Sequence, residues 1–372
     1  MKGEIGSGRD EGGKTGGEKM IKKFSAKNFK CFESIATKPW GRVNLIAGKN
    51  NIGKTALLEA IWLHEGAHNA GLAFAVEQFR GITSFNNKEF LSDLFAGFKS
   101  KKEILLETEY KDGKTLILKV RQEESLQPNP IMESPGMQGT ARIASSKVVF
   151  EGSDNGTLVK SEFFFGLDVQ DKLRPFSSGG NQLIRPIAVF VSTGVGKGMK
   201  NQADVANFSA QVGMKRKPEI IESLKLIDDR LEELNLEKRG PEDFICGDIG
   251  YDRTLPLSLM GEGMGRYLSF VLAILQAENG TVLIDEIENG FHHTILGKLW
   301  SNLAKLARKY NVQIIATTHS HECIKAAHES FKQNTEYDFI LHRLDRVGER
   351  IEDVTYDKET LEAALKSDME IR

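Results

Sequence analysis

From Ile21 the chain alternates apolar and polar positions. The segment Lys22-Lys23-Phe24-Ser25-Ala26-Lys27-Asn28-Phe29 has the two-residue period of a half-buried strand. Val43-Asn44-Leu45-Ile46-Ala47 is a short apolar strand that runs into a glycine-bearing loop, and Thr55 to His64 then reads as a helix. Ile104 to Tyr110 and Leu116 to Val120 flank Lys111-Asp112-Gly113-Lys114, whose Asp-Gly pair predicts a hairpin. A second hairpin is expected around Asp154-Asn155-Gly156. Residues 124–145 are rich in Pro, Ser, Gly and Met with little periodicity and predict a loop, as does Gly194-Val195-Gly196-Lys197-Gly198. Pro186 to Ser192 reads as a buried strand. Glu219 to Glu237 places Ile220, Leu224, Ile227, Leu231 and Leu234 on one helical face. A helix of that length spans ~28 Å, far too short for a long coiled-coil arm.

From residue 255 the pattern becomes α/β. Helices are expected over about 264–278 and 292–309, strands over 281–284 and 312–317. Tyr337 to Arg343 and Arg350 to Thr355 predict a closing hairpin, with a short amphipathic tail helix after it. No repeat at a solenoid period is visible. The expectation is one composite α/β domain with strand-rich insertions between a first loop and a later α/β half.

Composition adds exclusions. The 372 residues are 40% hydrophobic and 27% charged, enough for one large core or two ordinary ones. Fifty Lys+Arg against 52 Asp+Glu leave a net charge of −2, so no global basic field advertises nucleic acid. Cys31, Cys246 and Cys323 are widely spaced without a CxxC pair, which argues against a disulfide scaffold or structural zinc and for a reducing compartment. No apolar run approaches the ~18 residues of a membrane helix. Residues 1–19 are glycine-rich and charged without the apolar stretch of a signal peptide, and read as a mobile leader or an extension ahead of a start near Met20. A soluble cytoplasmic protein without a membrane partner is expected.

The strongest chemical signal is Gly48-Lys49-Asn50-Asn51-Ile52-Gly53-Lys54-Thr55, a complete GxxxxGK[ST] between a predicted strand and a predicted helix. Its glycines let backbone amides cradle phosphate oxygens, aided by the positive helix end. Lys54 would reach the β- and γ-phosphates, Thr55 would bind Mg²⁺, and the phosphate-binding set runs over Gly48, Asn50, Asn51, Gly53, Lys54, Thr55 and Ala56. A second signal, Thr281-Val282-Leu283-Ile284-Asp285-Glu286, ends an apolar strand in two acids. Alone they are two solvated carboxylates. Beside a phosphate loop, Asp285 would hold Mg²⁺ and Glu286 would orient or deprotonate the attacking water. A third strand, Ile314 to Thr317, leads into Thr318-His319-Ser320. His319 has two readings, a structural or surface histidine and a group reaching the γ-phosphate or the water. Leu257-Ser258-Leu259-Met260-Gly261-Glu262-Gly263-Met264-Gly265-Arg266 is placed just before a helix, where a hydroxyl and glycine amides again suit phosphate.

These four elements in this order resemble the ABC-type ATPase heads, with Walker A, signature, Walker B and switch histidine in sequence. The wording is similar to OLD-like (overcoming lysogenization defect) and RecF/SMC-like ATPases, through Phe29-Lys30-Cys31-Phe32-Glu33, Val43 to Asn51, Leu255 to Gly263, Asp285 to His293 and Thr317 to Ser320. The resemblance covers about residues 20–345. It implies a P-loop NTPase of the ABC-ATPase head type, with a mixed sheet core, an antiparallel β subdomain and a short helical insertion. It also implies a homodimer that sandwiches two ATP, each Walker A facing the partner's Ser258, Gly261, Glu262 and Gly263. Glu286 would be the catalytic carboxylate, His319 the γ-phosphate switch, and Glu288 to His293 the D-loop at the seam. Gln78 and Gln138 are the glutamines available for a Q-loop. The expected organisation is a leader over 1–19, a head over 20–345 and a C-terminal hairpin strand and helix over 346–372. Within the head, 20–165 would be the Walker A lobe with a β meander, 166–250 an insertion with a helical arm, and 251–345 the signature and Walker B lobe.

OLD nucleases carry a Toprim domain, and the 53 residues after His319 are too few for a domain of ~100 residues. The expectation is an ATP hydrolase, not a nuclease by itself, that switches dimer or partner contacts in DNA repair or anti-phage defence through a separate effector. The alternative is a non-hydrolysing ATP-dependent DNA-binding or scaffold protein. Its DNA would lie on Lys197, Lys200, Lys215, Arg216 and Lys217, or on Lys99, Lys101 and Lys102. A transporter's nucleotide-binding subunit fits worst: 203 residues separate Thr55 from Ser258, and SLMGEG departs from the LSGGQ of those subunits.

Overall fold

The computed structural model describes residues 19–66, 69–80, 92–124, 142–154, 157–167, 173–179, 188–193, 197–334, 336–367 and 369–372. The first half runs through β1 (Ile21–Phe29), β2 (Phe32–Ala36), β3 (Val43–Gly48), α1 (Lys54–Glu65), α2 (Leu72–Phe79), β4 (Ile104–Tyr110), β5 (Thr115–Glu124), β6 (Arg142–Asp154), β7 (Thr157–Leu167), β8 (Leu173–Gly179) and β9 (Ala188–Val191). Then come α3 (Lys197–Gly213), α4 (Lys217–Leu224), β10 (Glu233–Arg239), β11 (Glu242–Asp248), β12 (Leu255–Pro256), α5 (Glu262–Gln276) and β13 (Thr281–Ile284). The chain closes with α6 (Leu296–Lys309), β14 (Gln313–Thr317), α7 (His321–Lys332), β15 (Phe339–Val347), β16 (Arg350–Tyr356) and α8 (Lys358–Lys366).

Two sheets organise the core. One is antiparallel in the order β2-β1-β4-β5-β6-β7-β8. The other, β16-β15-β3-β14-β13-β9, is parallel from β15 to β9, with β16 as an antiparallel edge. Its central strands are apolar on both faces, as a sheet covered on both sides must be. Val43 and Leu45 of β3, Val282 and Ile284 of β13, and Ile314 and Ala316 of β14 pack with residues of α5, α6 and α7. The alternate residues Ile46, Leu283 and Ile315 pack with α1 instead. That helix is buried around most of its circumference, because its other side meets Phe24, Leu106, Leu118 and Phe150 of the antiparallel sheet. The fold is an α/β P-loop arrangement beside an antiparallel sheet. Its parallel strands end together, so Gly48, Asp285, Thr318 and Thr193 lie at the carboxyl edge where α/β sites form.

Several expectations need correction. The helix expected over Glu219 to Glu237 ends at Leu224. Asp228 accepts a hydrogen bond from the Arg230 backbone N–H at 3.1 Å, which turns the chain out of the helix. Leu231 and Leu234 are fully buried as expected, but the chain is extended from Glu233 and pairs with β11 across a turn at Gly240 (φ +66°) and Pro241. The helix of the insertion is instead α3, which begins at Lys197 within the expected glycine loop; residues 194–196 lie outside the described set. Arg142 to Ser145, expected as loop, belong to β6. The expected boundaries at 165 and 345 fall inside β7 and β15, since the antiparallel sheet continues to Gly179 and β15 pairs with β3. The expected leader (apart from Lys19), the turn at Asn155-Gly156, Gln138 and the side chain of Gln78 lie outside the described residues.

Candidate nucleotide site

The loop between β3 and α1 closes around its own lysine. Lys54 Nζ donates to the carbonyls of Gly48 (2.6 Å) and Lys49 (3.0 Å), and its third short contact is to His319 Nδ1 at 3.2 Å. Burial pulls the Lys54 ammonium down to about 8, against the opposing field of Asp285, Glu288 and Glu286. Gly53, at φ +105°, admits no side chain: a Cβ there would lie 2.5 Å from Cys31 Sγ. The turn between β1 and β2 therefore sits directly on the loop. Asn50, Asn51, Gly53, Lys54, Thr55 and Ala56 line one side of an open cleft of about 990 Å³, with Glu286 and His319 also in its wall.

Asp285 gathers three hydroxyls. Thr317 Oγ1 (2.7 Å) and Thr55 Oγ1 (3.0 Å) donate to its Oδ1, and Thr193 Oγ1 (3.4 Å) donates to Oδ2. Burial raises its pKa, and the Thr317 and Thr55 hydrogen bonds oppose that rise. A nearly buried carboxylate held by neutral donors, one of them Thr55, fits a hard divalent cation that takes its remaining oxygens from phosphate and water. No group of three or more His, Cys, Asp or Glu that could hold a metal alone occurs among the described residues.

Glu286 sits at φ +48°, a conformation uncommon for any residue but glycine. Its backbone N–H donates to Thr317 Oγ1 at 2.8 Å, and its Oε2 accepts from the Asn289 side chain. Its Oε1 lies 3.8 Å from His319 Nε2. His319 therefore faces both Lys54 and Glu286, while Glu288 accepts from the His319 backbone N–H at 2.7 Å.

The expected signature residues are not in this cleft. Ser258, Gly261 and Glu262 border a second cavity of about 440 Å³, together with Thr193, Lys200, Asp204 and Arg266. Gly263 packs so closely on the segment after Glu286 that a Cβ would meet Gly290 O at 2.7 Å. Sequence reasoning missed three groups here. Arg266 Nη2 donates to Asp285 O (2.6 Å) and Glu286 O (2.8 Å), tying α5 to the acid pair. Thr317 bridges Asp285 and Glu286, and Thr193 reaches Asp285 from the end of β9. Arg266 and Thr317 stand inside recognisable motifs, whereas nothing around Thr193 marks it.

Part of the two basic regions is spent internally, and the side chain of Lys197 lies outside the described residues. Arg216 pairs with Glu278 at 2.7 Å and lies over Tyr310, and Lys217 pairs with Glu233 at 2.8 Å. Lys200 lies in the second cavity, its pKa lowered by burial. Lys99 has Glu33 at 3.7 Å. No helix among the described residues is long and apolar enough to cross a membrane.

A phosphate loop on a parallel sheet, with an acid pair at the next strand end but one, is the arrangement of a P-loop ATPase. The chain belongs to the family described as "AAA domain, putative AbiEii toxin, Type IV TA system", whose model matches residues 43–324. It is 26% identical over 326 residues to an "ATP/GTP phosphatase" of Helicobacter pylori (strain ATCC 700392 / 26695), covering 82% of this chain and 87% of that protein. Among solved structures it is similar to an SMC head bound to the C-terminal winged-helix domain of ScpA, with TM-score 0.48 and 13% identity over 93% of this chain and 99% of that one. The SMC head domain from Thermotoga maritima gives TM-score 0.40 and 14% identity, covering 91% and 99%.

Proposed function

We propose that this chain hydrolyses ATP at the cleft around Lys54, as a head that dimerises around the nucleotide and works as a conformational switch. The observation carrying this reading is the convergence of Lys54, Thr55, Asp285, Glu286 and His319 from three separate segments onto one cleft. Lys54 would exchange its loop carbonyls for β- and γ-phosphate oxygens and return to full charge. Thr55 and Asp285 would hold Mg²⁺, which supplies charge neutralisation on the transferring phosphoryl group. Glu286 takes the proton of a water that attacks the γ-phosphorus as the bond to the β-phosphate oxygen breaks, giving ADP and phosphate. His319, between Lys54 and Glu286, orients the γ-phosphate. The partner's Ser258 to Gly263 would close the site, and hydrolysis would reopen it.

Hydrolysis of this kind does no chemistry on a second substrate, so its output goes to a separate effector. The setting we propose is DNA repair or anti-phage defence. The decisive experiment is phosphate release from Mg·ATP, with and without duplex DNA. Wild type should turn over, and Glu286→Gln should lose about 10²- to 10⁴-fold in rate while still binding ATP. A wild type that binds ATP without turnover, with and without DNA, would refute autonomous hydrolysis.

A further inference from the structure

The far half of the large cleft differs from the phosphate-loop half. Its charged side chains are largely satisfied by one another. Lys30 Nζ pairs with Glu59 (3.0 Å) and Glu77 (2.8 Å), and Arg80 makes a two-pronged contact to Glu59 at 2.8 Å. Glu59 is fully buried, so this cluster neutralises itself and leaves little charge for a ligand. One large apolar group remains open: Phe98, 70% exposed in the same cleft wall.

Phe98 is held in place rather than hanging loose. Gly97 and Phe98 take successive left-handed conformations (φ +58° and +59°), which a bulky side chain rarely adopts. The turn is pinned by Phe98 N–H to Phe95 O (3.0 Å) and Lys99 N–H to Ala96 O (3.2 Å). It is anchored beneath by the buried Phe95, which bridges to Phe29 of β1, and by Lys30 N–H to Leu94 O at 2.9 Å. The same β1–β2 turn touches Gly53 through Cys31. Phe98 thus stands across that turn from the phosphate loop, at the rim of one continuous cleft.

We propose that Phe98 is the platform on which the base of the bound nucleotide stacks. This rests on the nucleotide reading above. A triphosphate satisfies the charged half, and the charge-matched half calls for a neutral, flat, partly apolar group, which a nucleobase is. Stacking on a ring face reads no hydrogen-bonding edge, so adenine and guanine are both accepted.

The test is calorimetric titration of the full chain with Mg·ATP and with inorganic tripolyphosphate, which has no base. Phe98→Ala should weaken ATP roughly tenfold or more, the size of a base–aromatic stack, and leave tripolyphosphate unchanged. Phe98→Trp should keep ATP affinity, and Phe98→Leu, apolar but not planar, should lose most of it. ATP affinity unchanged in Phe98→Ala, or a loss of dimerisation alone, would overturn the platform while leaving the nucleotide site standing. An equal fall for ATP and tripolyphosphate would also overturn it, as a backbone effect. A wild type that binds neither ligand overturns the nucleotide site and the platform with it.

Discussion

The cleft at Lys54 and the smaller cavity beside Ser258 are built from the same residue types, yet their charges are matched differently. In the first, a cation is held by carbonyls it can leave, and a buried carboxylate is held by hydroxyls that a metal can replace. On the proposed reading, both would serve a polyanion with a cation. In the second, the charges of Lys200 and Arg266 are offset by Asp204 and Glu262, the Ser258 hydroxyl and glycine backbone share the lining, and Leu259, 71% exposed, stands next to Ser258 in the chain. Such a surface adds neutral donors and an apolar shoulder but little net charge. It suits closing over a phosphate that another surface already holds. On the proposed dimer, each chain would carry one half of two composite sites, which a two-fold axis would complete.

The sharpest way to break this comparison is to damage the two regions in separate chains. Lys54→Ala should abolish turnover by removing phosphate binding, and Ser258→Arg should abolish it by blocking closure while sparing ATP affinity. On the proposed dimer, an equal mixture should recover about a quarter of wild-type turnover, since half the dimers are mixed and each has one undamaged composite site. Phosphate release from the mixture measures it. No recovery would mean that Ser258 serves the Lys54 of its own chain, or none.

The second test separates the clefts by pH. Burial pulls the Lys54 ammonium down to about 8, and polyphosphate would stabilise its charged form. The free chain therefore loses the proton as pH rises through 8, and binding must restore it. ATP affinity should be flat below about pH 7 and fall by up to tenfold per unit above 8. Titrations between pH 6.5 and 9.5 should show the same slope for tripolyphosphate, because the proton belongs to the phosphate-loop half. A flat profile would mean that Lys54 stays fully charged without ligand.

What was legible in the chain follows how local each feature is. Gly48 to Thr55 act through consecutive backbone amides, so motif and site coincide. Asp285 and His319 end apolar runs whose burial is plain from their composition. Thr193 was invisible because its role depends on β9 lying next to β13, a pairing across 93 residues. Arg266 stood inside a quoted phrase, but its partners are carbonyls, which no side-chain pattern announces. The misread helix after Glu219 has the same origin. Leu231 and Leu234 satisfy helical spacing by coincidence, and only the pairing of β10 with β11 shows why they are buried. Phe98 was passed over because an exposed aromatic is remarkable only once its cleft is known.

The smallest effect is expected at Asp204. Burial pushes its carboxyl up to about 6, against a hydrogen bond from Ser269 Oγ at 2.8 Å and the nearby Lys200 charge. A carboxyl raised in the fold favours folding when protonated. Its contribution is therefore fully present below the unfolded value near 4 and is lost as pH rises through about 6. Asp204→Asn keeps the acceptor for Ser269 and removes that penalty, so the chain at pH 7.5 should melt about one to three degrees higher. Lys200, itself lowered by burial and facing Arg266 and Glu262, loses a counter-charge, which trims the gain. Melting curves at pH 4.5 and 7.5 should show the difference only at the higher pH. ATP affinity should stay unchanged, because on the proposed dimer the Lys200–Asp204 pair belongs to the closing cavity and not to the cleft at Lys54. A variant that melts normally but binds ATP more weakly would show that the two regions act as one site within a single chain.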